Sequence, residues 1–420
     1  MAVSVDNRGD VSQLVAGLEA ARSHTLALVA PIADAGLERQ VDPIVSPLAW
    51  DLAHIAAYED LWLVHRHTGA PLLRADLAAK YDAFETPRAV RGEIELLDAA
   101  GARAYMAAVR ERALRAIQTH GVDPILHEMV LQHEQQHTET MLQTLRLGRL
   151  PGYAHPGRRP APAAPGGYTG LEFVRVEGGD VQLGAPDDRF SHDNERPRHK
   201  VGVAPFQIGL TPVTNATWLA FSEGGGYEHR EWWSDEAWAW KQQYDITRPL
   251  HWERRPDGAW LEHSVHGPRE LDPDRPVAHV SCFEAAAVAR AHGARLPTEA
   301  EWETAATWDQ PTSRAGANLG QLTFDTTPVG AFPSGASDCG ALDLLGNVWE
   351  WTSSEFDGYA GFEPYPYREY SKVFFRTGHR VLRGGSWATH ARVATPTFRN
   401  WDLPQRRQIF SGVRLAMNEE

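Results

Sequence analysis

Ile125-Leu-His-Glu-Met-Val-Leu-Gln-His-Glu-Gln-Gln-His-Thr-Glu-Thr-Met-Leu-Gln-Thr-Leu-Arg-Leu147 contains neither glycine nor proline and reads as one continuous helix. Inside it, His133 and His137 stand four positions apart. Residues i and i+4 share one helix face about a turn apart, so both imidazoles can reach a single metal ion. A second helix opens upstream at Ser46-Pro-Leu-Ala-Trp-Asp-Leu-Ala-His-Ile55. Ser46 is placed to cap it, and Pro47 takes the first helical position, where its missing N–H costs nothing. His54 lies two turns into that helix and can pack against the His133/His137 face. Three neutral imidazoles on facing helices of a bundle leave coordination positions open, and open positions mean chemistry rather than scaffolding.

His133-Glu-Gln-Gln-His137 also spells the H-E-x-x-H of zinc proteases, whose Glu is a general base. A protease needs a third ligand downstream. Gln143 occupies the place of a further histidine, and Pro151 to Pro165 offers no helical glutamate. The third ligand then comes from elsewhere, and Glu134, essential to a hydrolase, is expected to tolerate substitution. His65 falls near the face of His54 but three turns away, about 16 Å along the axis. His65, His67 and His127 are therefore read as structural or solvated.

At 420 residues the chain has room for two or three domains, and its composition is that of a soluble globular protein. No stretch reads as a membrane span or signal peptide, since Met1 to Asp10 is polar and lacks a basic region followed by an apolar run. Cys282 and Cys339 make neither a disulfide framework nor a metal-ligand pair, and the expected compartment is the cytoplasm. A formal net charge of −14 argues against nucleic acid as a partner. Fifteen tryptophans, thirteen of them beyond residue 200, mark an aromatic-rich second half.

Composition divides the chain. Ala and Leu dominate residues 1–150, with helical periodicity over 11–37, 47–67, 97–119 and 123–147, the pattern of a four-helix bundle. The Pro- and Gly-rich stretch 151–167 reads as a linker. Residues 168–420 change to short β-type runs such as Leu171 to Val176, with brief helical pieces at Asn215 to Ser222 and Phe283 to His292. The fold class is thus multidomain, α followed by α+β.

Several phrases in the second part are specific. Arg295-Leu-Pro-Thr-Glu-Ala-Glu-Trp-Glu303, Gly346-Asn-Val-Trp-Glu-Trp-Thr352, Arg383-Gly-Gly-Ser-Trp387 and Ser411-Gly-Val-Arg-Leu415 resemble, in order, the formylglycine-generating enzyme family. The resemblance implies a C-type-lectin-like α+β fold. It does not imply that family's activity, because no cysteine pair follows Cys339. Between Thr304 and Pro333 the chain is shorter than that pattern, and a trimmed surface loop is expected there.

With the helical part included, the whole chain resembles the EgtB family of iron-dependent sulfoxide synthases of ergothioneine biosynthesis, which join a DinB-like bundle to a formylglycine-generating-enzyme-like domain. The resemblance rests on Ser46 to Ile55, on Tyr81-Asp-Ala-Phe-Glu-Thr-Pro-Arg-Ala-Val-Arg91, on His133 to Gln143 and on Phe398 to Leu415. It implies a mononuclear non-heme iron, Fe(2+), held by His54, His133 and His137. It further implies O2-dependent joining of a thiol sulfur to C2 of the imidazole of hercynine, the thiol being γ-glutamylcysteine and the product its hercynyl sulfoxide.

The roles implied by the resemblance suit the side chains. Arg88 and Arg91 match a pair that binds the carboxylates of γ-glutamylcysteine, a task for a planar guanidinium fork. Asp402 and Arg406 match the complementary pair, with Asp402 toward the glutamyl ammonium. Tyr367 and Tyr370 match a Tyr-x-x-Tyr in which the first supplies a proton to reduced oxygen and the second helps bind hercynine; a shift of two residues would select Tyr365 for the first role. Gln136, Asn400 and Trp401 match residues near hercynine, and Trp401 can offer a π face to its quaternary ammonium. The alternatives are a relative that uses cysteine or a seleno-sugar as donor, and a non-catalytic lectin-like binding module. No membrane partner is expected.

Overall fold

Pro31 cuts the first helical run, because it has no N–H to donate to the preceding turn and its ring clashes there. In a computed structural model that describes residues 7–150, 158–308 and 316–419, helix α1 (Asn7–Val29) ends before Pro31, and a short α2 (Asp34–Glu38) follows. The expected single helix over 11–37 is thus two. Residues 151–157 of the expected linker lie outside the described residues, and 158–167 form no helix or strand. The chain divides into two units, Met1–Ala154 and His155–Glu420.

In the first unit, α3 (Leu48–Glu59) widens into a π-helical segment, Asp60–Arg66, and α4 (Ala99–His120) and α5 (Pro124–Leu147) follow. Asp123 caps α5 by accepting from the Ile125 and Leu126 amides, with Pro124 at the first turn. Helix α3 packs on α4 and α5, and α1 on α5, closing a bundle around Leu18, Leu52, Leu63, Met106, Val109, Leu131 and Leu142. Ser46 does not cap α3. Its hydroxyl accepts from Arg91 Nη1 at 2.7 Å, and the Trp50 and Asp51 amides turn to the Pro47 carbonyl instead.

The second unit is α+β. Strands β1 (Phe173–Val176) and β4 (Phe206–Gly209) pair antiparallel, and β12 (Ala416–Asn418) lies on the other side of β4. Strands β2 (Gly179–Leu183) and β3 (His199–Val203) form a ribbon, and β5 (Trp252–Arg254), β6 (Trp260–Ser264) and β7 (Gly267–Glu270) form a meander. A four-stranded sheet runs in the order β10 (Asn400–Asp402), β9 (Arg380–Arg383), β8 (Trp349–Glu355), β11 (Ser411–Gly412). Helices α6 (Asn215–Glu223), α7 (Asp235–Gln243), α8 (Cys282–Ala291) and α9 (Glu299–Ala305) complete it.

The signature phrases of this unit are its buried skeleton. Thr298 and Glu301 form a capping box that starts α9. From that helix Glu299 accepts from Arg399, Glu303 from Arg383 and from the Gly184 amide, and the Trp302 indole donates to Glu350, which also holds Arg414. Removing one partner of such a buried pair leaves a charge without compensation. Gly346 has φ +79°, and a Cβ there would lie 2.3 Å from the Asn318 carbonyl, so no other residue fits.

The segment after α9 departs from expectation. Residues 309–315 lie outside the described residues, but Asn318, Leu319, Thr323 and Phe324 are buried rather than on a surface loop. Asn318 donates to the Asp325 carbonyl and Thr323 to the same oxygen, so this irregular backbone carries its own polar partners inward. Among the described residues no helix is long and apolar enough to cross a membrane.

Asp343 supplies a stability test. It is buried with φ 55°, accepts from the Gly330 amide at 2.6 Å, and burial pushes its carboxyl up to about 6. The folded state therefore holds the proton more tightly than the unfolded chain. Stability is lost as pH rises from about 4 through 6, by about 3 kcal/mol in full. Asp343→Asn, which keeps an acceptor and tolerates positive φ, is expected to raise Tm at pH 7.5 and leave it unchanged at pH 4. Equal shifts at the two pH values would contradict this account.

Candidate metal centre and aromatic site

In the first unit, His54 from α3 and His133 and His137 from α5 bring one ring nitrogen each within 4.8 Å of one another. The orientation of His54 is fixed on two sides. Its Nδ1 lies 2.6 Å from the Tyr81 carbonyl; a carbonyl only accepts, so Nδ1 carries the proton and Nε2 presents its lone pair. Its ring stacks on Trp50 with centroids 4.6 Å apart, and the Trp50 indole donates to the Lys80 carbonyl. Burial, and then the neighbouring His137, holds the His54 pKa well below its ordinary value, which keeps the imidazole neutral as a metal ligand must be.

The donor set fits a transition-metal ion. His54 Nε2 and His133 Nε2 are 3.2 Å apart. Two nitrogens about 2.1 Å from one ion and subtending about 100° would have that spacing. The Asp51 carboxylate, 1 % exposed, lies 3.3 Å from His137 Nδ1 with no hydrogen bond formed between them, a position from which a carboxylate can orient a metal-bound imidazole. Sequence reading missed Asp51; its signal was one carboxylate in the otherwise apolar start of α3.

Glu134 belongs to a different place. One residue from His133, it turns to the bundle interior, where it is 1 % exposed and accepts from Arg22 Nε at 2.9 Å, Thr25 Oγ1 at 2.9 Å and Arg110 Nη2 at 3.1 Å. Arg22 and Arg110 also hold Glu59; burial pushes that carboxyl up, but the two guanidinium charges outweigh it and leave its pKa lowered. Both Glu134 oxygens are thus committed to a neutral four-membered ion network. This bears against the expectation that Glu134 tolerates substitution, and it removes the general base a zinc hydrolase would need. His65, His67 and His127 each meet a backbone carbonyl, as a structural reading requires.

Arg88 and Arg91 take opposite positions. Arg88 is exposed on a short turn. Arg91 is 3 % exposed, lies 3.4 Å over the Trp50 ring, and donates to the Thr86 carbonyl, the Ser46 hydroxyl and the Ala83 carbonyl. These contacts leave at most two of its five N–H groups for a ligand. Gln136 shares the half-buried face of α5 with the two histidines.

In the second unit, the connection from β8 to β9 carries Tyr367 and Tyr370, and β10, paired with β9, carries Asn400, Trp401 and Asp402. The elements converge. Tyr367 and Tyr370 have centroids 6.2 Å apart, Tyr370 meets Trp401 edge-on at 5.7 Å, and Trp401 stacks on Phe356 at 4.3 Å. Tyr365 is 44 % exposed, whereas Tyr367 is half-buried in contact with Tyr370. Asp402 lies 3.7 Å from Arg406 and accepts from Gln408 and the Leu403 amide. Cys282 is buried, its thiol pushed up to about 12 by burial, and both cysteines are free. A low-pKa thiol chemistry is therefore absent from Cys282.

A bundle in which three histidines bring ring nitrogens toward one point that could hold a metal ion, followed in the chain by an α+β unit, is the frame in which the relatives of this chain are read. The Sulfatase-modifying factor enzyme 1-like domain matches residues 161–419, and the DinB superfamily matches residues 17–141. The chain is 46 % identical to the hercynine oxygenase of Mycolicibacterium thermoresistibile over 99 % of its own length and 96 % of that protein. It is 46 % identical to the hercynine oxygenase of Mycobacterium tuberculosis, covering 96 % and 98 % of the two chains. It is 34 % identical to the formylglycine-generating enzyme of Streptomyces coelicolor over 52 % of this chain and 79 % of that one. The chain belongs to the hercynine oxygenase family.

Proposed function

We propose that this enzyme joins the sulfur of γ-glutamylcysteine to C2 of the hercynine imidazole and oxidises that sulfur to the sulfoxide. The observation that carries the reading is the His54, His133 and His137 donor set, which leaves positions for further ligands, in a chain so similar to hercynine oxygenases. Iron(II) held there would supply the redox chemistry that uses O2. The reaction balances. The C2–H and S–H hydrogens leave with one oxygen atom as water, the other oxygen goes to sulfur, and O2 takes the four electrons released by C–S bond formation and sulfur oxidation.

The chain's own residues do the rest. Arg88, with the remaining N–H groups of Arg91, binds carboxylate; Asp402 takes the ammonium and Arg406 a further carboxylate. Gln136, Tyr370 and Asn400 orient hercynine, and the Trp401 ring receives its quaternary ammonium. Tyr367 holds the proton that reduced oxygen requires.

The test is anaerobically purified, Fe(II)-loaded enzyme given hercynine, O2 and either γ-glutamylcysteine or cysteine, with products read by mass spectrometry. Hercynyl γ-glutamylcysteine sulfoxide is expected from the wild type. Tyr367→Phe is expected to retain iron and both substrates but lose at least about a hundredfold in sulfoxide formation. Sulfoxide from cysteine alone would reassign the donor, and unchanged output from the variant would remove Tyr367 from the reaction.

A further inference from the structure

We infer that Asp193 and Ser371 form a latch that positions the loop bearing Tyr367 and Tyr370, an inference that rests on the role given to Tyr367 above. The loop joins β8, which ends at Glu355, to β9, which starts at Arg380, and a single 3-10 turn, Lys372–Phe374, is its only helix or strand. A connection of this length has little to define it locally and takes its conformation from whatever holds it.

A short turn between β2 and β3, Asp193–Glu195, does the holding. The Ser371 hydroxyl donates to Asp193 Oδ1, and the Tyr365 amide donates to Asp193 Oδ2 at 3.4 Å. The Asn194 amide group donates to the same Ser371 oxygen at 3.1 Å. Beside them, the buried His192 ring stacks on Tyr370 with centroids 4.5 Å apart and planes within 10°. Arg399, one residue before Asn400, ties the turn to the loop entry by donating to the Asn194 carbonyl at 2.7 Å and to the Asp357 carbonyl at 3.0 Å.

Tyr367 therefore sits between two points, Tyr365 and Ser371, that are fastened to one carboxylate. Ser371 is fully buried and Asp193 is 1 % exposed, so water cannot take over a bond that is lost. Burial pushes the Asp193 carboxyl up to about 6, with the Ser371 and Tyr365 bonds acting against that rise. None of Asp193, Asn194, Ser371 or Arg399 belongs to the substrate-binding set. They are positioning residues, acting through the tyrosines.

Ser371→Ala removes one oxygen, and Asp193→Asn keeps one acceptor, so both variants are mild. In the full-length, iron-loaded enzyme, each is expected to speed tryptic cleavage after Arg368, whose side chain is 66 % exposed inside the latched interval, by about tenfold. Each is also expected to lower kcat about tenfold and Tm by a few degrees, as the loss of a buried bond requires, with iron content and KM for the thiol unchanged. In a Tyr367→Phe background, Ser371→Ala should have no further effect on the residual rate, because the latch acts through that hydroxyl. An unchanged cleavage rate would overturn the latch, and faster cleavage at wild-type kcat would overturn its bearing on turnover. A purely additive double variant would make Ser371 a general stabiliser instead. Cleavage after Arg368 needs no substrate, so a wild type that yields no hercynyl sulfoxide would defeat the functional reading and still leave the latch decided.

Discussion

Replacing His133 by alanine is expected to weaken metal binding by more than about a hundredfold while leaving the bundle folded. Loss of a residue that only orients a ligand costs tenfold to a hundredfold in metal affinity, and loss of the ligand itself costs more. The fold tolerates the change because His133 is half-buried and its packing partner on α3 is the Tyr58 ring, 3.7 Å away, which stays in place. His54, 6 % exposed and under Trp50, would be a poorer choice, since its removal opens the core. The measurement is anaerobic thermal unfolding with and without added Fe(II). Metal at a hundred times its Kd stabilises the wild type by about 2.7 kcal/mol. The variant should show no metal-dependent rise in Tm and no sulfoxide formation, and His65→Ala should behave as wild type. A wild-type metal shift in His133→Ala would dismiss the three-histidine site.

What the sequence discloses here follows from the range of the interaction involved. The i, i+4 pair His133 and His137 is local, and helical periodicity alone places both on one face. The approach of His54 is not local: the sequence places it two turns into a helix, but its meeting with His133 and His137 depends on α3 packing against α5. Ser46 shows the limit of local rules. A serine before Pro47 has the chemistry of a cap, but Arg91, 45 residues downstream, takes its hydroxyl. That partner is invisible to any window centred on the helix start.

The second unit repeats the lesson on a longer scale. Its phrases are recognisable one by one, yet their purpose lies in pairs such as Glu350 with Arg414, Glu303 with Arg383 and Glu299 with Arg399, separated by 64, 80 and 100 positions. The same long reach hid Asp193, which meets Ser371 across 178 positions. The aromatic group Tyr367, Tyr370 and Trp401 was legible only through the family resemblance, since it joins a long loop to strand β10 across some thirty positions.

Glu134 carries the second large effect, and it is an effect on folding. Arg22 and Arg110 bring two positive charges into the bundle interior, and Glu59 and Glu134 balance them. Glu134→Gln keeps the shape of the side chain but leaves the pair of guanidinium groups with one carboxylate, and breaking a buried ion pair this way costs about 3–5 kcal/mol. Urea unfolding should show a loss of that size, with metal content of the remaining folded protein unchanged, since Glu134 faces away from the histidines. A loss below about 1 kcal/mol would mean that the network contributes little. Combining Glu134→Gln with Arg22→Met removes one charge of each sign, so it should recover much of the loss. Failure of that rescue would assign the cost to Thr25 and to packing rather than to charge. A hydrolase would show the reverse pattern: intact stability and lost activity in Glu134→Gln, with no rescue from Arg22.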